Sequence, residues 1–190
     1  MDEITLFIRI VLSTLFLTTS WSKFLRIDEH IIIVEEYRIL PTPFVRAYAW
    51  FEVLMEMAIG ILLLFGFLQK EATIAAVLLL IMYNVAISVN LLRGRNEISC
   101  GCGGLVGDHR LSWSIVLRNF GLMILCWWIY QFNSVWGSLQ AILSGGTLGQ
   151  AFDFKFWITL IICYTILFVT IIFIKLFAIR ERIQMLLSNK

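Results

Sequence analysis

The chain has 190 residues, of which 60% are hydrophobic and 15% charged, with a formal net charge of +2. Soluble domains are about 45–50% apolar, so this composition excludes a water-soluble globular domain and makes lipid the solvent for most of the chain. The small net charge gives no reason to expect a nucleic-acid partner.

Five apolar runs reach the roughly 20 residues that cross a bilayer core at 1.5 Å per residue. They are about 3–22, 46–68, 71–92, 111–131 and 154–177. Lipid forces the backbone to satisfy itself, so the expected fold is all-α: a single integral membrane domain over residues 1–190, built as a bundle of about five transmembrane helices. The first run is longer than a signal's apolar region and lacks a small-residue cleavage site, so it reads as a retained span. Arg9 lies deep in that span and calls for a partner near the face opposite the thiol loop described below.

Between the first two spans, Ile33, Tyr37 and Leu40 fall on one helical face, and Pro41 and Pro43 stop the helix. This is a short amphipathic interfacial helix, either a surface connector or a lid over a site. Gln69-Lys70-Glu71 reads as a tight turn that makes the second and third spans antiparallel neighbours. The tail 178–190 reads as a basic membrane-surface helix.

Between the third and fourth spans lies Ser99-Cys100-Gly101-Cys102-Gly103-Gly104. Residues two apart lie within about 7 Å, and a disulfide wants Cα atoms about 4.4–6.8 Å apart. Cys100 and Cys102 therefore close into a small strained ring only if the chain bends at Gly101. Strained disulfides are the labile, reactive kind. Positive charge from Arg93, Arg95 and Arg110 and the start of the next helix favour thiolate. A zinc site would need four ligands, and the pair with His109 and Asp108 is an incomplete set, so no metal is expected. Cys126 and Cys163 sit inside apolar runs and read as structural.

Charged and amide groups inside spans are costly and tend to be functional. Glu56, Asn84 and Arg118 all fall roughly 10–15 Å below the thiol face by helical rise, with Asn119 beside Arg118 and Glu52 one turn from Glu56. The natural pairing by charge is Glu56 with Arg118. Such a layer is either an ion pair fixing helix register or the polar floor of a pocket for a quinone head group or a relayed proton. Trp21, Trp50 and Trp113 lie at the thiol-face ends of their spans, as an aromatic belt or as a wall for a ring ligand.

Sidedness draws two opposed readings. The thiol face carries Lys23, Arg26, Arg38, Arg46, Arg93, Arg95, Arg110, Lys175, Arg180, Arg182 and Lys190, against Lys70 and Lys155 opposite. The positive-inside rule then points the thiols to the cytoplasm, whereas persistent disulfides belong outside it.

The order of these elements resembles the MauE branch of the DoxX-like membrane proteins. The resemblance rests on Arg9 with Ser20-Trp21-Ser22-Lys23, Tyr37-Arg38-Ile39-Leu40-Pro41, Glu56 with Ile59-Gly60, Cys100-Gly101-Cys102-Gly103-Gly104, and Arg118-Asn119. Gly103 stands where the family motif has phenylalanine. The resemblance implies a four-helix core plus a C-terminal span in a bacterial inner membrane, redox-associated, with a thioredoxin-fold partner and a role in maturing methylamine dehydrogenase. Residues and resemblance together suggest a membrane thiol–disulfide oxidoreductase. Cys100 and Cys102 would be catalytic, a membrane quinone the cofactor, and Glu56, Asn84, Arg118 and Asn119 its binding groups. The alternatives are a non-enzymatic membrane scaffold for a redox partner, or a quinone-linked oxidoreductase of a small sulfur compound.

Overall fold

The computed structural model describes residues 2–101, 110–132, 137–143, 149 and 153–188. It is all-helical among the described residues: α1 (Asp2–Leu25), α2 (Ile27–Glu36), α3 (Thr42–Phe65), α4 (Gln69–Leu92), α5 (Trp113–Gln131), a short α6 (Leu139–Leu143) and α7 (Phe154–Ser188). The first, third, fourth and fifth of these are long and apolar enough to cross a membrane, and Phe154–Thr170 of α7 is a further apolar helical stretch. The protein is a multi-pass membrane protein.

Two pairs carry the bundle: α1 packs most extensively on α3, and α4 on α5. Leu12 and Phe16 of α1, Ile59 and Leu63 of α3, Ala72, Ala76, Leu79 and Leu80 of α4, and Cys126 and Ile129 of α5 form the central core. Apolar burial offers helices little advantage over lipid, so close approach through small residues matters more. Gly60 provides that approach. A Cβ added there would lie 2.7 Å from the Leu17 side chain and 3.2 Å from its backbone nitrogen. The outward faces, such as Phe51, Leu54, Ile61, Leu78, Leu117 and Ile124, are exposed and meet lipid. α7 packs on α1, where Phe156 and Cys163 meet Leu6 and Ile10.

Several boundaries differ from the sequence expectation. α3 begins at Thr42, because Pro43 fits the first turn of a helix and starts it there. The α3–α4 turn lies at 66–68, not at Gln69-Lys70-Glu71. Gly66 adopts φ 59° and caps α3, with Phe67 N–H donating to Leu62 O at 3.0 Å, and Gln69 already begins α4. The interfacial helix ends at Glu36, ahead of the prolines, because Arg38 takes φ 48° and breaks it first. The basic tail is no separate surface helix: α7 runs on unbroken to Ser188.

At the end opposite the thiols, Arg9 finds the partner its depth called for. It is 1% exposed and donates through Nη2 to Gly137 O at 3.0 Å. Its guanidinium also rests against the Gly66 turn, which Ser138 Oγ ties in through a 2.7 Å bond to Gly66 O. Arg9 thereby pins the segment before α6 to the α3–α4 turn.

Replacing Gly60 by valine should force α1 and α3 apart. We expect a loss of about 1–3 kcal/mol, the usual cost of overpacking, read by unfolding in detergent micelles, with Gly60→Ser costing less.

Candidate functional site

Only Arg26 separates α1 from α2, so the chain folds back at once and lays α2 across α3. His30, Ile33, Val34 and Tyr37 share the inner face of α2 and its C-terminus, and all four line a cavity of about 480 Å³. Leu40 lines it as well, so the apolar face read from the sequence does cover a site. The other walls come from α1, α3, α4 and α5, and Cys100 lies at the cavity.

The thiol loop is anchored on both sides. An antiparallel bridge pairs Ser99 with Arg110, and Leu111 N–H donates to Ile98 O at 3.0 Å. Ile98 and Leu111 pack with Ile87 and Ile115, adjoined by Tyr37 and Cys100. The two ends of the loop thus meet on the bundle. Gly101 sits at φ 65°, in the left-handed region that glycine tolerates best, and a Cβ there would lie 3.1 Å from Ile33 Cγ2 and 3.6 Å from His30 Nδ1. The glycine therefore provides both the bend and the close approach to α2. Tyr37 O–H points at Cys100 O, 3.4 Å away. Burial, with the Glu52 carboxylate adding to it, raises the Tyr37 phenol well above its ordinary range, so it stays a donor. Cys100 is disulfide-bonded, while Cys126 and Cys163 are free and buried. Cys102, Asp108 and His109 lie outside the described residues.

The polar floor is a charge network. Lys23 Nζ lies 2.6 Å from Glu52 Oε1 and 2.9 Å from Glu56 Oε1. Tyr83 O–H reaches the same two oxygens at 2.9 and 2.7 Å. His30 Nε2 stands 3.3 Å from Glu52 Oε1, within ion-pairing reach but not aligned as a hydrogen bond. Lys23, Glu52 and Glu56 are each at most 6% exposed. Two carboxylates meeting one ammonium leave one excess negative charge when all are ionised, which a low-dielectric interior penalises. Glu56 Oε2 is buried and has no hydrogen-bond partner among the described residues.

Glu56, Arg118 and Asn119 all line the cavity, and Asn119 Nδ2 donates to Asn84 Oδ1 at 3.0 Å. The layer inferred from helical depth therefore exists. Its pairing differs, because Glu56 takes its cation from Lys23 of α1 and not from Arg118. Lys23 is accordingly a buried residue of the site, not a surface cation of the thiol face. Trp21, Trp50 and Trp113 do not line the cavity; Trp21 and Trp113 are 58% and 59% exposed, which fits a belt.

Three cavity residues escaped the sequence reading: Lys23 as an ion-pair partner, His30 and Tyr83. His30 had a legible signal, since it lies three, four and seven residues before Ile33, Val34 and Tyr37 on one helical face. Lys23 had only its place at the end of a span, where snorkelling to the interface is the ordinary expectation.

Fold and site define a class: a multi-pass helical membrane protein that brings disulfide-bonded Cys100 to an apolar cavity floored by buried charges. The family model described as "Methylamine utilisation protein MauE" matches residues 1–132, and the chain belongs to that family. It is 35% identical over 118 residues to the methylamine utilization protein MauE of Paracoccus denitrificans, covering 62% of this chain and 63% of that protein. It is 38% identical over 112 residues to that of Paracoccus versutus (59% and 60%), and 30% identical over 121 residues to that of Methylorubrum extorquens (64% and 65%). The similarity thus spans less than two thirds of each of these relatives. No solved structure matches. The matched stretch contains every residue of the cavity and excludes α6 and α7.

Two outcomes follow from this geometry. Lys23→Met strands two buried carboxylates and should cost about 3–5 kcal/mol, whereas adding Glu52→Gln and Glu56→Gln to it should restore most of that loss; unfolding in micelles checks both. Gly101→Ala should cost about 1–2 kcal/mol through its left-handed backbone and lift the loop from α2, read as faster alkylation of reduced Cys100.

Proposed function

We propose that this protein is a membrane thiol–disulfide oxidoreductase of the bacterial inner membrane. Cys100 and Cys102 cycle between disulfide and dithiol, exchange with a thioredoxin-fold partner, and pass two electrons and two protons to a membrane quinone. The quinone becomes quinol as the S–S bond forms. The observation that carries the reading is the placement of disulfide-bonded Cys100 at an apolar cavity whose floor holds an unpartnered carboxylate oxygen, Glu56 Oε2. A quinone fits that chemistry: its ring and tail suit apolar walls, and its oxygens need a few convergent polar groups. Glu56 Oε2 would accept a hydrogen bond from a quinol hydroxyl, and Arg118 and Asn119 line the same cavity.

The relatives' names place them in methylamine utilisation. The corresponding role here is maturation of a disulfide-rich enzyme of that process, such as methylamine dehydrogenase, by supplying oxidising equivalents through the partner.

The test is direct. Protein reduced at Cys100 and Cys102, in micelles, is mixed with a short-chain benzoquinone. We expect one quinol and one disulfide per protein, no reaction in Cys100→Ser, and a mixed disulfide with the partner trapped in cells by Cys102→Ser. Thiols that stay reduced in the presence of quinone would overturn the quinone step. Full biological function in a Cys100→Ser/Cys102→Ser double variant would point to a scaffold instead.

A further inference from the structure

The proposed reaction moves protons as well as electrons. Two protons leave the cysteines and two must reach the quinone oxygens, yet the cavity walls between them are mostly apolar. One side chain of the cavity wall meets both the bend of the loop and the charged floor. His30 is 6% exposed, and its two ring nitrogens face different components of the site. Nδ1 lies against the bend of the thiol loop, 3.6 Å from where a Gly101 Cβ would stand. Nε2 lies 3.3 Å from Glu52 Oε1. Neither nitrogen has a hydrogen-bond partner among the described residues, an arrangement that is costly for a buried imidazole used only for packing.

We infer that His30 is the proton carrier between the cysteine pair and the floor of the cavity. This rests on the thiol–quinone reading above. As a cysteine thiol gives up its electrons to the S–S bond, its proton passes to the imidazole at Nδ1, and the proton on Nε2 passes to Glu52. The ring ends in its other tautomer and resets by rotation or re-protonation, so it gains no net charge over the cycle. Glu52 shares Lys23 and Tyr83 with Glu56, so a proton arriving at one carboxylate is one hydrogen bond from the other. Glu56, with its free oxygen, delivers it to the quinone. Two passes account for both protons.

The titratable and charged groups that line the cavity with His30 come from every element packed there: Lys23 from α1, Tyr37 from the end of α2, Tyr48, Glu52 and Glu56 from α3, Tyr83 from α4, Cys100 from the loop and Arg118 from α5.

The experiment uses the full chain in micelles, fully reduced, oxidised either by short-chain benzoquinone or by glutathione disulfide. General acid–base groups are worth about 10²–10⁴-fold, so His30→Gln should lower the ratio of quinone-driven to glutathione-driven oxidation by at least about tenfold. In His30→Ala, added imidazole should restore the quinone-driven rate in a concentration-dependent way, which a packing role would not produce. Glu52→Gln breaks the same path from the other side and should lower the same ratio, keeping the test open if the His30 variants fold poorly. An unchanged ratio in His30→Gln, or a lowered ratio in His30→Ala with no rescue by imidazole, overturns the assignment while leaving the quinone reading intact. A wild-type protein inert to quinone overturns both.

Discussion

A lysine buried between two glutamates is the interaction on which the site depends. Lys23 leaves the last turn of α1 and meets Glu52 and Glu56, one turn apart on α3, at 2.6 and 2.9 Å. A lysine near a helix end would ordinarily extend its ammonium to water. Here it turns inward because α2 folds straight back over it and the two carboxylates compensate the loss of hydration. The same contact joins the two most closely packed helices, whose adjoining turns approach through Gly60 and Leu17. Removing Lys23 strands two carboxylates where lipid and apolar side chains cannot solvate them.

Polarity is sorted along the membrane normal by this arrangement. Toward the thiol face lie the cysteine loop and α2. Beneath them is the charged floor, with the Asn84–Asn119 bond beside it on α4 and α5. Below that, the core of Leu12, Ile59, Leu63, Ala76 and Ile129 is dry. At the far end Arg9 closes the bundle through Gly137. A ligand with a polar ring and an apolar tail matches such a gradient, which neither a purely apolar groove nor an aqueous channel would present.

The thiol loop is held as firmly as a functional loop needs to be, and no more. The Ser99–Arg110 bridge and the Ile98–Leu111 contacts fix its base, and Gly101 lets its bend press on Ile33 and His30. A side chain at position 101 would push the bend of the loop away from α2 and the cavity. The exposed Arg110–Glu97 pair at the base adds little, being open to solvent on both sides.

Of the five spans expected, the four long apolar helices were determined by the sequence itself, as were the place of the cysteine loop and the common depth of Glu56, Asn84, Arg118 and Asn119. These follow from quantities that a linear chain carries: run length against bilayer thickness, ligand spacing, and depth at 1.5 Å per residue. Only the tertiary structure decided who pairs with whom. Depth places groups in a plane but says nothing of azimuth around each helix, so Glu56 and Arg118 seemed matched by charge while the bundle turned Glu56 toward Lys23. His30 entered the site because Arg26 alone separates α1 from α2, which reverses the chain and brings an interfacial helix over α3. Such contacts arise from helix rotation and loop geometry, which depend on packing across the whole bundle; the inner face of α2 was legible in its own spacing, but not what that face would lie against.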